Sequence, residues 1–192
     1  TVTIAANLVV SNPAQTSSAC GSNGGFGAPS SMVHLGMSGG GGVLNVAGTV
    51  TVSNPGHVSA GLAMHVDAIF NYNGSAAQTI VLPGSSSWTY TNVRVNNTHA
   101  SGATLEGAVS ATKLTGNLRV GVRPDGTTVA GALLDNGGFA ISLANSRTFE
   151  VAAGAMFRLT GTSGMVTPAS GSITKTFAAT STVAYAGASQ AV

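Results

Sequence analysis

The sequence predicts an all-β chain wound as a β-solenoid, and three observations carry that prediction. Charged residues are 6% of the 192 positions, against roughly 25% in ordinary soluble proteins. Apolar residues recur at every second position in short runs, which is the period of a strand. Gly and Asn separate those runs, and the 27 glycines supply corners rather than cores. Low charge would also suit a membrane span, yet no apolar run approaches the ~18 residues a spanning helix needs. Disorder requires low hydrophobicity with high charge, and the chain has neither. With 5% aromatic residues there is little to fill a wide two-sheet core. The solenoid is therefore favoured over the alternative, a β-sandwich or jelly roll with an N-terminal donor strand. Rungs of about 20 residues would give about nine rungs and a rod near 45 Å. The length suits a single all-β domain over residues 1–192.

The first ten residues, "TVTIAANLVV", alternate strictly. Val2, Ile4, Ala6, Leu8 and Val10 share one face, so residues 1–10 read as one strand with an apolar side. "SNP" at Ser11–Pro13 ends it, because Pro cannot continue a central ladder. The phrase returns: "TIAANLVVSNPAQ" (Thr3–Gln15) aligns without gaps on "NVAGTVTVSNPGH" (Asn45–His57), at one constant offset. That is the mark of an internal repeat. Between the two copies lies a Gly/Ser-rich region, residues 20–42, read as loop. It contains Cys20, the single cysteine, which excludes an intrachain disulfide framework. "SAGLAMHVDAIF" alternates at Leu62, Met64, Val66 and Ala68 and reads as strand.

Short strands follow to the end: around Val93 and Val95, Leu118 and Val120, Phe139 to Leu143, Phe149 and Val151, and Phe157 and Leu159. "RPDG" (Arg123–Gly126) and "DNGG" (Asp135–Gly138) are turn signals in which Asp serves as a backbone partner. A second internal likeness links Tyr72, Gly74, Gln78 and Ile80 with Tyr185, Gly187, Gln190 and Val192. Joined tail to head, one copy's end and the next copy's "NLVVSN" would repeat the order of Tyr72–Ile80 and Asn92–Asn97. This points to subunits that complete a unit across each joint, or to insertion of residues 1–10 into a neighbour's sheet.

Taken in order, Tyr72-x-Gly74…Gln78-x-Ile80, Asn92-Val93-Arg94-Val95, Thr104-Leu105-Glu106-Gly107, Gly116-Asn117-Leu118-Arg119-Val120 and Leu134-Asp135-Asn136-Gly137-Gly138 resemble repeat-rich secreted surface proteins and adhesins of bacteria, of the right-handed parallel β-helix type. The resemblance covers about residues 69–192. It implies an extracellular structural or adhesive role and no catalytic residues.

The side chains themselves offer little chemistry. Carbohydrate cleavage needs two carboxylates close across a cleft. Asp67, Glu106, Asp125, Asp135 and Glu150 lie at least ten residues apart in sequence. His34, His57, His65 and His99 have no metal-ligand spacing, and no G-x-S-x-G occurs. No enzyme, cofactor or metal is expected. Trp88 with Tyr90 could form a sugar platform. Asn73 and Asn96 begin N-x-[ST] sequons, acceptors for glycans in a host that glycosylates Asn. A net charge of +2 without a basic cluster argues against nucleic acid. Thr1 is not an initiator Met and no signal peptide is visible, so we read a processed form or an excised segment. The expected function is a structural subunit of an extracellular filament, sheath or surface array whose partner is itself, with cell-surface glycans as further partners and no membrane insertion. The alternatives are a segment of a large β-helical adhesin and, third, a carbohydrate-active or carbohydrate-binding protein.

Overall fold

The computed structural model describes residues 1–11, 32–35, 42–53, 61–64, 67–82, 89–162 and 164–187. Its strands in chain order are β1 (Val2–Ile4), β2 (Leu8–Ser11), β3 (Met32–Leu35), β4 (Val43–Val46), β5 (Val50–Ser53) and β6 (Gly61–Met64). Then come β7 (Ile69–Tyr72), β8 (Gln78–Ile80), β9 (Asn92–Val95), β10 (Ala103–Leu105), β11 (Leu118–Val120) and β12 (Leu133–Asp135). The last are β13 (Ser142–Leu143), β14 (Thr148–Val151), β15 (Met156–Leu159), β16 (Thr167–Pro168), β17 (Thr174–Phe177) and β18 (Thr182–Tyr185). No helix occurs among the described residues.

Every pairing between these strands is parallel, so the chain is a β-solenoid and not a sandwich. One face is a seven-stranded sheet in the order β1-β4-β7-β9-β11-β14-β17. The second is β8-β10-β12-β15-β18. The pair β13–β16, with single bridges Val109↔Ile141 and Tyr90↔Leu114, closes the remaining side. β2–β5 and β3–β6 are further pairs in the first turns.

The phrase repeat in the sequence is the register of the first turn: Val2 pairs with Leu44 and Leu8 with Val50. Later turns are shorter. Leu44 pairs with Phe70, Phe70 with Val93, Val93 with Leu118, Leu118 with Phe149 and Phe149 with Lys175. Each of these turns is still longer than the expected rung, and the coil has about five turns rather than nine. At about 4.8 Å per strand the seven-stranded face is about 29 Å from end to end.

Three local expectations change. Residues 1–10 are not one strand: a bend at Ala5–Ala6 sends β1 to the seven-stranded face and β2 to a different pair. Val2 is 54% exposed, Ile4 half-buried, Ala6 exposed and Leu8 buried. The segment is already paired with its own β4 and β5, so it is not a free donor strand. The region 20–42, read as loop, contains β3, paired with β6. Cys20 and Trp88 lie outside the described residues.

In-register parallel pairing places alternate residues in columns. Val46, Tyr72, Val95, Val120 and Val151 form one inward column, each fully buried. Aromatic rings join this core. Phe70 packs on Tyr72 and Tyr90 with ring centres 4.8 and 5.2 Å apart, and Phe149 packs on Phe157 at 4.9 Å. Tyr90 is therefore no surface sugar platform. Its Oη lies 2.6 Å from Tyr72 Oη and donates to the Val81 carbonyl at 2.8 Å, so both phenols are buried with partners.

The Tyr72–Ile80 motif is one solenoid corner. Gly74 lies so close to the previous turn that an added Cβ would overlap the Ala47 carbonyl oxygen. Gln78 Oε1 accepts the Gly74 N–H at 2.9 Å, while its Nε2 donates to Val46 and Gly48 carbonyls at 2.9 and 2.7 Å. One buried amide thus satisfies backbone groups of two turns. Gly74→Ala is expected to cost about 1–3 kcal/mol, by the overpacking it forces, read from the midpoint shift in urea.

Burial drives the Tyr72 and Tyr90 hydroxyls well above the ordinary tyrosine range. In the unfolded chain they ionise near pH 10 (about the model-peptide value). The folded state then holds more protons than the unfolded one above that pH. Stability is therefore complete below about pH 10 and declines as pH rises beyond it. The double variant Tyr72→Phe/Tyr90→Phe is expected to flatten that decline in thermal melts between about pH 9 and 12.

Candidate functional site

The outer column of the seven-stranded face runs Thr3, Asn45, Asn71, Arg94, Arg119, Glu150, Thr176. Its lower half is an amide ladder. Asn45 Nδ2 donates to Thr3 Oγ1 at 3.3 Å, Asn71 Nδ2 to Asn45 Oδ1 at 2.7 Å, and Asn96 Nδ2 to Asn71 Oδ1 at 2.7 Å. Asn92 and Asn117 make a second ladder at the strand starts, ending on the Thr148 N–H. A primary amide is both donor and acceptor, so identical amides on successive turns satisfy one another without charge.

The upper half carries charge. Arg119 Nε and Glu150 Oε2, directly opposite in register, are 3.2 Å apart. Arg94, on the neighbouring turn, sits below the usual arginine range, first through burial and then through the Arg119 charge, with Glu150 opposing. Its Nη1 donates to the Val122 carbonyl at 3.4 Å.

The acids are used structurally. Asp135, buried, accepts from Arg158 Nε at 2.8 Å, the Gly137 N–H at 2.8 Å and Thr160 Oγ1 at 2.7 Å. Asp125 accepts from the Thr127 N–H and hydroxyl at 2.9 and 2.7 Å, and the hydroxyl bond first, then the N–H bond, holds its carboxyl below the usual range. Both are the turn partners their sequence context predicts. Glu106 accepts the Leu82 N–H at 2.6 Å. Among the described residues no three His, Cys, Asp or Glu side chains cluster as a metal site. His99 Nδ1 accepts the Ser101 N–H, a local turn contact.

The expected terminal unit takes a different place from its supposed counterpart. Tyr72 ends a strand of the seven-stranded face, whereas Tyr185 pairs with Leu159 on the second face. Likewise Asn92–Val95 lies on the seven-stranded face while Leu8–Ser11 does not. The shared letters come from a common vocabulary of corner residues and not from equivalent positions. Gly187 follows β18, and Gln190 and Val192 lie outside the described residues. Of the two sequons, Asn73 is exposed. Asn96 is buried and its Nδ2 is committed to Asn71 and to the Val122 carbonyl at 3.0 Å, so a glycan there would break both bonds.

What the two ends of the described coil share is exposure of inward columns. At one end β1 shows Val2, in the column of Leu44. At the other, β17 shows Lys175 and Phe177 in the columns of Phe149 and Val151, and β18 shows Tyr185 in the column of Leu159. Phe177 and Tyr185 are 38% and 43% exposed. The amide ladders and the inward register of Lys175 escaped the sequence reading. Asn at 45 and 71 within strands, and at 92, 96 and 117 at or beside strand ends, is the signal the sequence holds.

The chain matches no protein-family model, no curated protein and no solved structure. No described helix is long and apolar enough to cross a membrane.

Asn71→Ala is expected to cost about 1–3 kcal/mol, because Asn45 Oδ1 and an Asn96 N–H then lose partners on a buried or half-buried surface. Equilibrium urea unfolding measures it.

Proposed function

We propose that this chain is a structural length of an extracellular filament or surface array, extended end to end through its outermost strands. The observation that supports this is the pair of open edges. Among the described residues, β1 and β17 each carry one unpaired edge of the same seven-stranded face, with inward columns bared at both. Unpaired edges invite pairing with another strand, and a solenoid extends one turn at a time. The low charge suits side-by-side packing, since an unpaired charge buried at a joint costs several kcal/mol. The occupant of the edge is a second copy of the chain, placed head to tail in a contact that does not close.

Continued register would set Val2 beside Lys175 and Ile4 beside Phe177. Lys175 then weakens the joint and keeps it reversible, since an inward charge is a recognised guard on a sheet edge. Electron microscopy and sedimentation of purified chain are expected to show filaments. Val2→Lys, which sets two like charges at the joint, abolishes them. Val2→Asp preserves them, and Lys175→Leu lowers the concentration of half-assembly at least about tenfold, equivalent to about 1.4 kcal/mol. Filaments indifferent to all three substitutions would overturn the head-to-tail joint. Rods that occur only within a far larger polypeptide would assign the same edges to the alternative, a segment of a large β-helical adhesin.

A further inference from the structure

Of the turns after the first, one is longer than its neighbours. Asn117 and Thr148, hydrogen-bonded across that turn, are 31 positions apart in sequence. Asn92 and Asn117, bonded across the turn before, are 25 apart, and Asn145 and Ser172, across the turn after, are 27 apart. The excess falls between β11 and β12. There the chain leaves the coil as a small hairpin closed by the antiparallel bridge Val122↔Thr128, by Arg123 N–H to the Thr127 carbonyl at 2.8 Å, and by the turn bond from Gly126 N–H to the Arg123 carbonyl at 2.9 Å. Insertions in repeat folds tend to build the binding face. This one forms the wall of a cleft of about 660 Å³ over the outside of the seven-stranded face. That size falls in the range of small-ligand sites.

The cleft floor carries the side-chain amides of Asn45, Asn71, Asn73 and Asn96, and its wall carries Arg123 and Asp125. Four features choose the ligand. The floor is a sheet face whose backbone groups already pair between turns, so it offers no free edge for an extended peptide to join. The two charged side chains are of opposite sign and two residues apart, which matches neither a polyanion nor a cation. The lining is mostly amide, hydroxyl, carboxylate and guanidinium, groups that between them give and accept hydrogen bonds. Finally, the buried Asn96 Oδ1 receives no donor from the described residues, while its Nδ2 is held by two acceptors and so fixes the amide's orientation. A buried acceptor without a donor is satisfied by a water or by the hydroxyl or N–H of a ligand.

We infer that this cleft binds a neutral oligosaccharide, whose hydroxyls bridge the amide rows of the floor and the Arg123–Asp125 wall. The site lies on the outer surface of the coil, opposite the inward columns bared at its ends; Thr1, next to β1, is part of its rim, so glycan binding and filament formation are measured separately in each background.

The test uses the full chain from a bacterial host that does not glycosylate Asn, in the Val2→Lys background as well as the unsubstituted one. A printed array of neutral, sialylated and sulfated glycans identifies retained structures, and calorimetric titration with the best-retained neutral oligosaccharide gives Kd. Retention of neutral glycans is expected, with binding at least about tenfold weaker in both Asp125→Ala and Asn73→Trp, equivalent to about 1.4 kcal/mol each. Neither side chain is buried, and circular dichroism checks that the variants keep the strand spectrum. Retention of acidic glycans alone, of no glycan, or of neutral glycans with Kd unchanged in either variant would overturn the assignment. Loss of filaments with glycan binding intact would sink only the end-to-end joint.

Discussion

Everything in this molecule depends on parallel pairing in register between successive turns. In that geometry a residue's nearest cross-strand neighbours are its counterparts one turn before and one turn after. Each column must therefore consist of residues that tolerate their own kind. Apolar columns do so inside: Val46, Tyr72, Val95, Val120 and Val151 stack with no surface left to solvent. Amide columns do so outside, because one side chain's Nδ2 meets the next one's Oδ1. Like charges do not. Arg94 stands beside Arg119 with Glu150 on the following turn, and Arg94 sits below its ordinary range as a result of burial and that neighbour. The scarcity of charge across the chain follows from this geometry.

The same rule explains the corners. A solenoid corner exposes backbone groups that no ladder serves, and they must be satisfied by side chains or water. Gln78 and Asn97 meet at one corner, where Asn97 Nδ2 donates to Gln78 Oε1 at 2.8 Å and to the Ala76 carbonyl at 2.7 Å. Asn136 serves another, accepting the Thr160 N–H at 2.6 Å and donating to the Phe139 carbonyl at 3.0 Å. These amides replace the helices and long loops that join strands in other parallel sheets. Because they are buried, the coil tolerates few substitutions there.

Stacking also leaves unpaired edges and free side chains mainly where regularity breaks. The interior turns satisfy most of their own groups and leave little for a partner. Among the described residues the breaks are the two outermost turns, where columns lose their next member, and the hairpin, where the coil lengthens to build a wall. The proposed joint would use the first of these breaks and the proposed ligand site the second.

The sequence alone determined the class of fold, the register of the first turn, most of the strands from Asn92 onward and the turn roles of Asp125 and Asp135, because period-two alternation, a phrase repeat and Asx-turn chemistry are local signals. Tertiary structure alone decided the rest. It set the length of each turn, the bend that divides Val2–Val10 between two sheets, the burial of Asn96 and Tyr90, the separate faces of Tyr72 and Tyr185, and the inward column of Lys175. Turns of unequal length have no period to read, so which residue sits above which is settled only when the columns pack. A one-residue slip would turn every apolar side chain outward, and the cost of that slip, summed over the core, selects the register that local pattern leaves open.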